Sequence, residues 1–195
     1  MEIAKGIRDS DYRKLQLTDL ESDDWLKAFC YLEARFNERF IEPVEVLIDN
    51  EKSKPPNEKK FGFTILAIDC LLAETLQSFY EGKIDSHKKS SQIFKRFLRT
   101  RDSFKNYFNT DTEAEEFYNN FRCGIIHQAQ TFGDTKIWTV GELIHKIEKY
   151  TIVNRDLFHQ KIKEELNIYL TELRKRSDKG LLDNFKAKMD FISGI

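Results

Sequence analysis

The chain has 195 residues, a formal net charge of −1, 40% apolar residues and 33% charged residues. This apolar fraction is too high for a disordered chain, and the near-zero charge excludes a global positive field that would attract nucleic acid. A chain of this length buries a sizeable core in one domain, so we treat residues 1–195 as a single domain.

Glycine and proline are scarce, with 8 and 3 copies, and 16 phenylalanines supply most of the bulky apolar side chains. Because glycine and proline interrupt helices, this composition predicts an all-α fold, a bundle of about five to six helices. The three cysteines, Cys30, Cys70 and Cys123, are far apart and have no zinc-ligand spacing. We therefore expect reduced thiols, no metal and no cofactor.

The N-terminus has no apolar run that would indicate a signal peptide. The longest apolar stretch, residues 61–76, is interrupted by Asp69 and Glu74. It is shorter than the roughly 20 apolar residues of a membrane span. We expect a cytoplasmic protein without a membrane partner.

The first 60 residues predict one helix between two irregular segments. Residues 1–20 are expected to be a weakly ordered lead-in that could contain a short helix. Helix 1 is expected to begin near Thr18 or Ser22 and to run to about Phe40, with Pro43 ending or kinking it. The charged, proline-containing residues 49–60 predict a mobile loop.

The central part of the chain predicts three more helices. Residues 61–81 are apolar on nearly every face in their first half, which predicts a helix at the centre of the bundle. Helix 3 is expected over residues 86–101. Helix 4 is expected from residue 111 or 112 to about residue 130.

The last third combines a β-rich segment with two helices. Residues 135–140 and 150–153 are rich in β-branched and aromatic side chains, which allows a small β-hairpin near 135–153. Helix 5 is expected from Asn154 to about Arg176, because asparagine is a good N-cap. Helix 6 is expected over residues 181–192.

Helix 4 has one apolar sector and a less usual opposite side. At 100° per residue the apolar residues cluster together, and Arg122 and His127 diverge by about 140° and flank the other side. The clustered residues are Ala114, Phe117, Tyr118, Phe121 and Ile125. An exposed Ile126 beside Gly124 suggests close packing of a second copy of the chain, although Gly124 could equally be incidental.

The segment Arg122-Cys123-Gly124-Ile125-Ile126-His127 resembles the Arg-x4-His form of the HEPN motif. Residues 118–121, 128–130 and 68–76 also resemble bacterial HEPN proteins, and the resemblance covers roughly residues 20–176. It implies a HEPN-like helical bundle, a homodimer in which two copies of the motif meet, and metal-independent RNA cleavage. It also implies a toxin or an anti-phage defence component, with an antitoxin or defence partner that the sequence does not identify.

The resemblance assigns the catalytic positions to Arg122 and His127, and their chemistry suits RNA cleavage. A histidine can move a proton to or from a ribose hydroxyl near neutral pH, and an arginine can bind a phosphate that gains charge in the transition state. RNA supplies its own nucleophile, the 2′-hydroxyl. No metal is then required.

Supporting residues are expected on helix 2 and helix 4. Asp69 and Glu74 are acids in an apolar helix and need partners; Arg122 is a natural partner for Glu74, although both acids could lie at the bundle margin or pair with a lysine. Asn119 could bind the substrate or be a surface amide. The other histidines, His87, His145 and His159, are expected at the surface.

Residues 83–105 hold eight lysines and arginines and two acids. This excess predicts an RNA-backbone contact through Lys88, Lys89, Arg96 and Arg99, or simply a solvated face of helix 3.

Two alternatives to a ribonuclease remain open at the level of sequence. Cys123 follows the arginine where the family usually has a polar residue, which favours a catalytically silent HEPN domain that binds RNA or nucleotide, or only dimerises. In the other alternative, a helical adaptor, Arg122 and His127 are structural.

Overall fold

A computed structural model describes residues 1–85 and 89–195; Ser86, His87 and Lys88 lie outside the described residues. The fold is mostly helical, with two small sheets in addition. The α-helices are α1 (Asp9–Tyr12), α2 (Asp23–Phe36), α3 (Glu42–Asp49), α4 (Gly62–Tyr80), α5 (Ser90–Thr100), α6 (Asp111–Phe117), α7 (Gly124–Gln128), α8 (Arg155–Lys175) and α9 (Lys179–Ser193). The strands are β1 (Glu2–Ala4), β2 (Ile7–Arg8), β3 (Thr135–Trp138), β4 (Ile144–Ile147) and β5 (Tyr150–Asn154).

The expected weakly ordered lead-in over residues 1–20 is instead packed onto the bundle. Strands β1 and β2 form an antiparallel pair, and Ile3 is fully buried. The Ile3 carbonyl accepts a hydrogen bond from Arg35 Nη1 at 2.9 Å, and Tyr12 Oη donates to Asp190 Oδ1 at 3.0 Å. Partners this distant in sequence leave no local signal, which explains why the pattern of residues 1–20 does not reveal them.

Helix α4 is the central helix, as its apolar sequence predicts. It packs against α3, α5, α8 and α9. Phe79 contacts the rings of Phe36, Tyr169 and Phe185 at centroid distances of 5.4–6.4 Å. By length and composition α4 could cross a membrane, but 61% of its most apolar 18-residue stretch is buried inside the fold. The core helix of a soluble protein can be equally long and apolar, and the burial of α4 fits such a position.

The first long helix bends through a π-helical segment, Asn37–Ile41, before α3 begins. Ser22 caps α2, because its side chain accepts a hydrogen bond from the Asp24 backbone. Pro43 is the second residue of α3, directly after the π segment, and its missing N–H leaves one hydrogen bond out of a continuous helical stretch. Pro43 therefore coincides with the change from the π segment to α3 and does not end the helix.

The predicted helix 4 is also interrupted by a π segment, Tyr118–Cys123, between α6 and α7. At its end the Gly124 N–H bonds to the Asn119 carbonyl, five residues back. A π turn of this kind introduces an extra residue, which offsets the following side chains by about 100° from those before it. The π segment therefore changes the direction in which the Arg122 side chain points.

The segment near 135–153 is a three-stranded mixed sheet rather than a simple hairpin, in the order β3-β5-β4. Strand β3 pairs with β5 in parallel, and β4 pairs with β5 antiparallel. Both segments predicted as strands are strands, but their parallel pairing and the position of β4 depend on contacts that no local turn signals. The fold class is therefore mostly α, not all-α.

The loop at residues 49–60 is anchored, although it was expected to be mobile. Glu51 is fully buried and its carboxylate accepts hydrogen bonds from the backbone of Lys60 and Phe61. It also forms an ion pair with Arg155 at the start of α8. The rest of the loop is mostly exposed and contains a short 3-10 turn, Pro56–Glu58.

Candidate functional site

Arg122 lies in the π segment and points towards the central helix. Its Nη2 donates to Glu74 Oε2 on α4 at 3.0 Å and to Ser90 Oγ on α5 at 3.0 Å. The predicted Glu74–Arg122 contact is thereby confirmed. The two side chains are each 11% exposed, so this ion pair is mostly shielded from water and is far less screened than a surface pair.

The surroundings of Arg122 hold its guanidinium charged and in place. Burial by itself would lower the pKa of Arg122, but the Glu74 carboxylate outweighs this effect and raises the pKa above its ordinary value. The Tyr118 ring lies below the guanidinium, 5.3 Å from Cζ to the ring centroid, within cation–π range. Three elements therefore fix the direction of this side chain: α4, α5 and the π segment.

His127 lies at the surface of α7, close to Arg122. Its Nε2 is 3.4 Å from Arg122 Nη1, and the residue is exposed. A straight α-helix would place these residues about 140° apart on the outer side. Instead the π segment turns Arg122 inward, and the long arginine side chain ends beside the imidazole.

Cys123 is half-buried and, as the last residue of the π segment, directly follows Arg122. Burial raises the pKa of Tyr118, and a hydrogen bond with Cys123 raises it further. The Cys123 thiol therefore acts on Tyr118, whose ring contacts the Arg122 guanidinium.

Gly124 is required by the chain's own backbone rather than by a second copy. A Cβ at this position would lie 2.5 Å from the Gln130 carbonyl oxygen and 3.3 Å from Thr131 Cα. The chain turns back after α7 through Ala129, which has a positive φ of 54°. Ile126 is half-buried rather than fully exposed. These two residues therefore give no support to a dimer contact.

Asp69 does not join this cluster. It is buried and its Oδ1 lies 2.8 Å from Nδ1 of His159 on α8. Burial raises the pKa of the Asp69 carboxyl, and the neighbouring His159 partly opposes this rise. The expectation that His159 is a surface residue is wrong, because it is only 3% exposed. The sequence of α8 does not show that His159 faces α4, because this contact depends on how the helices pack.

Asn119 also points elsewhere. It is exposed, and its Nδ2 donates to Glu115 Oε1 one turn earlier at 3.3 Å. His145 is half-buried and contacts the Trp138 ring. Ser90 and Tyr118 both contact Arg122, and the sequence analysis did not identify them as site residues. Tyr118 precedes Arg122 by four residues, the helical spacing for contact, whereas Ser90 has no such signal.

The basic segment near α5 is partly neutralised by acids. Arg96 donates through two nitrogens to Glu81, each at 2.6 Å, and Arg99 Nε lies 2.9 Å from Asp111 Oδ1. Lys95 pairs with Glu115. These acids lie just outside the segment in sequence, so a charge count within it overstates the free positive charge.

The two lysines of the predicted RNA contact differ in what can be said of them. Lys89 is exposed at the start of α5. Lys88 lies outside the described residues, as does His87. Along residues 1–85 and 89–195, no group of three or more His, Cys, Asp or Glu side chains could hold a metal ion.

Comparison with known proteins does not identify a family. The chain matches no protein-family model, no curated protein and no solved structure. A proposal of function therefore depends on the geometry of the Arg122 cluster, defined as Glu74, Ser90, Tyr118, Arg122 and His127, and on the motif that it contains.

Proposed function

We propose that this protein is a HEPN-like, metal-independent endoribonuclease. The observation that carries the proposal is the pair of Arg122 and His127, with Nη1 and Nε2 only 3.4 Å apart. Glu74 and Ser90 hold Arg122 from behind, and His127 is exposed to solvent. A buried, oriented cation beside an exposed proton-transfer group suits a phosphodiester that approaches from the solvent side.

The reaction can be written with these groups alone. The ribose 2′-hydroxyl attacks the adjacent phosphorus, the new 2′-O–P bond forms, and the P–O5′ bond breaks. His127 either accepts the 2′-hydroxyl proton or donates a proton to the leaving 5′-oxygen. Arg122 Nη1 stabilises the charge on the phosphate oxygens. The products are a 2′,3′-cyclic phosphate and a 5′-hydroxyl.

A single histidine can perform one of the two proton transfers at a time. The proposal therefore includes the homodimer that the HEPN resemblance implies, in which a second motif supplies further groups. Lys89, which directly precedes Ser90, would contact the RNA backbone beside the cluster, and we propose the same contact for Lys88 from its sequence alone. Arg96 and Arg99 could exchange their partly exposed acidic partners for phosphates, because surface ion pairs are weak. We place this activity in the cytoplasm, in a toxin or an anti-phage defence system, with an antitoxin or defence partner.

The test is cleavage of a labelled mixed-sequence RNA by the purified chain in EDTA. His127→Ala is the decisive variant, because His127 is exposed and its loss leaves the core intact. We expect cleavage to fall by about 100-fold or more, the contribution of a general acid or base. Gln128→Ala, at the next exposed position of α7, is the matched control and should cleave like the wild type.

Arg122→Lys completes the experiment, because it keeps the positive charge but loses the planar fork of donors. Loss of cleavage in this variant and in His127→Ala, with cyclic-phosphate ends in the wild type, supports the proposal. Equal cleavage by His127→Ala and wild type contradicts it.

A catalytically silent HEPN domain is the second candidate, because the Arg122 side chain is only 11% exposed and its Nη2 is satisfied within the monomer. Cys123 beside it points the same way. In this case the wild type binds RNA or dimerises without cleaving at any protein concentration. Filter binding and sedimentation of the same samples distinguish the two candidates.

A further inference from the structure

A cavity lies at the N-terminal end of α4, away from the Arg122 cluster. It has a volume of about 350 Å³ and lies between the start of α4, strand β3 and the start of α8. Its polar lining comes from Asn57, Lys59, Thr139 and Arg155. Gly62 and Glu74 are twelve residues apart, about 18 Å along a helix, so this cavity is separate from the Arg122 cluster.

Arg155 is the main charged group of the cavity lining and is only 1% exposed. Its Nη2 pairs with Glu51, and its Nε lies 3.2 Å from Asp156 Oδ1. Its Nη1 is buried and has no hydrogen-bond partner within residues 1–85 and 89–195. A buried guanidinium donor without an acceptor is costly, and an anion in the cavity would remove that cost.

Two further groups in the lining are polar and incompletely bonded. The Thr139 hydroxyl is buried, and no described residue bonds to it. Helix α4 begins at Gly62, and its N-cap residue, Phe61, has no polar side chain to cap the first turn. Glu51 accepts from the N–H groups of Lys60 and Phe61, which precede the helix. The N–H groups of the first turn carry the positive end of the helix dipole and favour a negative charge.

The charges around the cavity favour an anion. Of the described residues that line it, the two charged ones, Lys59 and Arg155, are both basic. The nearby acids Glu51 and Asp156 pair with these bases and do not line the cavity. The remaining wall is apolar and includes Ile137, Trp138 and Val140. Such a wall suits an apolar or aromatic body rather than a bare ion.

We propose that this cavity binds a small organic anion, a phosphate or carboxylate head group on an apolar or aromatic body. The head group contacts Arg155, Lys59, the Thr139 hydroxyl and the first turn of α4, and the body packs on Ile137, Trp138 and Val140. This site does not depend on the proposed ribonuclease activity, because none of its residues belongs to the Arg122 cluster.

The test is a titration of the full chain followed by tryptophan fluorescence. The chain has two tryptophans: Trp138 in the cavity wall, and Trp25, which packs in the core against Phe29 and Phe185. The probes are phenyl phosphate, benzoate, inorganic phosphate and phenol. We expect phenyl phosphate or benzoate to bind with a Kd of about 1 mM or tighter, and the stronger of the two identifies the head group. Inorganic phosphate and phenol, which each lack one half of the ligand, should bind about ten-fold more weakly or worse.

Two variants test the lining without removing the buried Arg155. Lys59→Gln and Thr139→Val should each weaken the preferred probe by about 3- to 10-fold, the loss of one hydrogen bond or charge. Thr139→Val should fold, because the hydroxyl that it removes has no partner among the described residues. Lys161→Gln, which loses a similar lysine–acid pair with Glu164, is the matched control and should bind like the wild type.

Three outcomes would overturn the proposal. The first is no saturable binding of either aromatic anion up to about 10 mM. The second is phenol binding as tightly as phenyl phosphate and benzoate, which would mean that the cavity selects apolar bodies and not anions. The third is unchanged binding in both Lys59→Gln and Thr139→Val.

Discussion

The two ends of α4 each meet an arginine–glutamate pair, and the pairs differ in their access to water. At the N-terminal end, the side chains of Arg155 and Glu51 are 1% and 0% exposed. Nearer the C-terminal end, those of Arg122 and Glu74 are each 11% exposed and lie beside the exposed His127. The same chemical pair is thus a buried anchor in one place and, in the other, the fixed half of a candidate active site.

The largest expected effect is the loss of the buried anchor. Glu51→Gln should lower the free energy of unfolding by about 3–5 kcal/mol, because the buried Arg155 then loses its closest counter-charge and keeps only Asp156, 3.2 Å from its Nε. Urea unfolding measures this value. Glu58→Gln, at an exposed position of the same loop, should change it by less than about 0.5 kcal/mol. A small effect of Glu51→Gln would mean that water reaches Arg155 readily.

The same substitution at Glu74, in the less deeply buried pair, should lower the free energy of unfolding by less than Glu51→Gln does. Glu74→Gln keeps an acceptor oxygen for Arg122, and Ser90 still holds the same nitrogen, so we expect a loss of about 2 kcal/mol in the same measurement. Glu81→Gln, which removes the surface partner of Arg96 at the end of α4, should cost less than about 1 kcal/mol. If Glu74→Gln costs as much as Glu51→Gln, the two pairs are energetically alike and the comparison fails.

The two regions also differ in how tightly a glycine is packed. Gly124 lies in α7 near Arg122, and Gly62 is the first residue of α4. An alanine Cβ at Gly124 would lie 2.5 Å from a backbone oxygen, whereas one at Gly62 would lie 3.0 Å from the Cγ2 methyl group of Ile137. Gly124→Ala should therefore destabilise the protein by about 1–3 kcal/mol, the usual range for overpacking. Gly62→Ala should be nearly neutral, because Ile137 can shift and alanine gains about 1 kcal/mol in helix propensity. Thermal unfolding of the two variants tests the order, and equal melting temperatures would contradict it.

A pH-dependent effect is expected at Asp69, which lies on α4 between the two ends and is only 1% exposed. Its pKa is raised in the folded state by burial, so the folded chain holds this proton more tightly than the unfolded chain does. Above about pH 4, where an unfolded aspartate ionises, this group lowers the stability as the pH rises towards its folded-state pKa.

In the Asp69→Asn variant the side chain at this position cannot ionise, so the variant lacks the pH-dependent contribution of Asp69. The unfolding free energy of the wild type, relative to the variant, should therefore fall with rising pH, by no more than about 1.4 kcal/mol per pH unit. Urea unfolding of both proteins between pH 4 and pH 7 measures the difference. A difference that grows with pH would show that the Asp69 pKa is lowered instead.

The positions of most helices and part of the candidate site could be predicted from the sequence. The buried sector of helix 4, the central position of α4 and the contact between Glu74 and Arg122 follow from periodicity and from the need of a buried acid for a partner. The predictions that failed share a cause. The packed N-terminus, the buried His159 and the parallel pairing of β3 with β5 all depend on partners far away in the sequence.

By itself, the sequence determined the helical elements and the type of residue inside them, because helical hydrogen bonds and apolar periodicity are local properties. Only the tertiary structure decided which charged groups meet. Glu51 and Arg155 are 104 residues apart, and Asp69 and His159 are 90 residues apart. It also decided that a π segment turns Arg122 inward towards Glu74, a rotation that depends on one extra residue in a single turn and on the carboxylate that lies across the core.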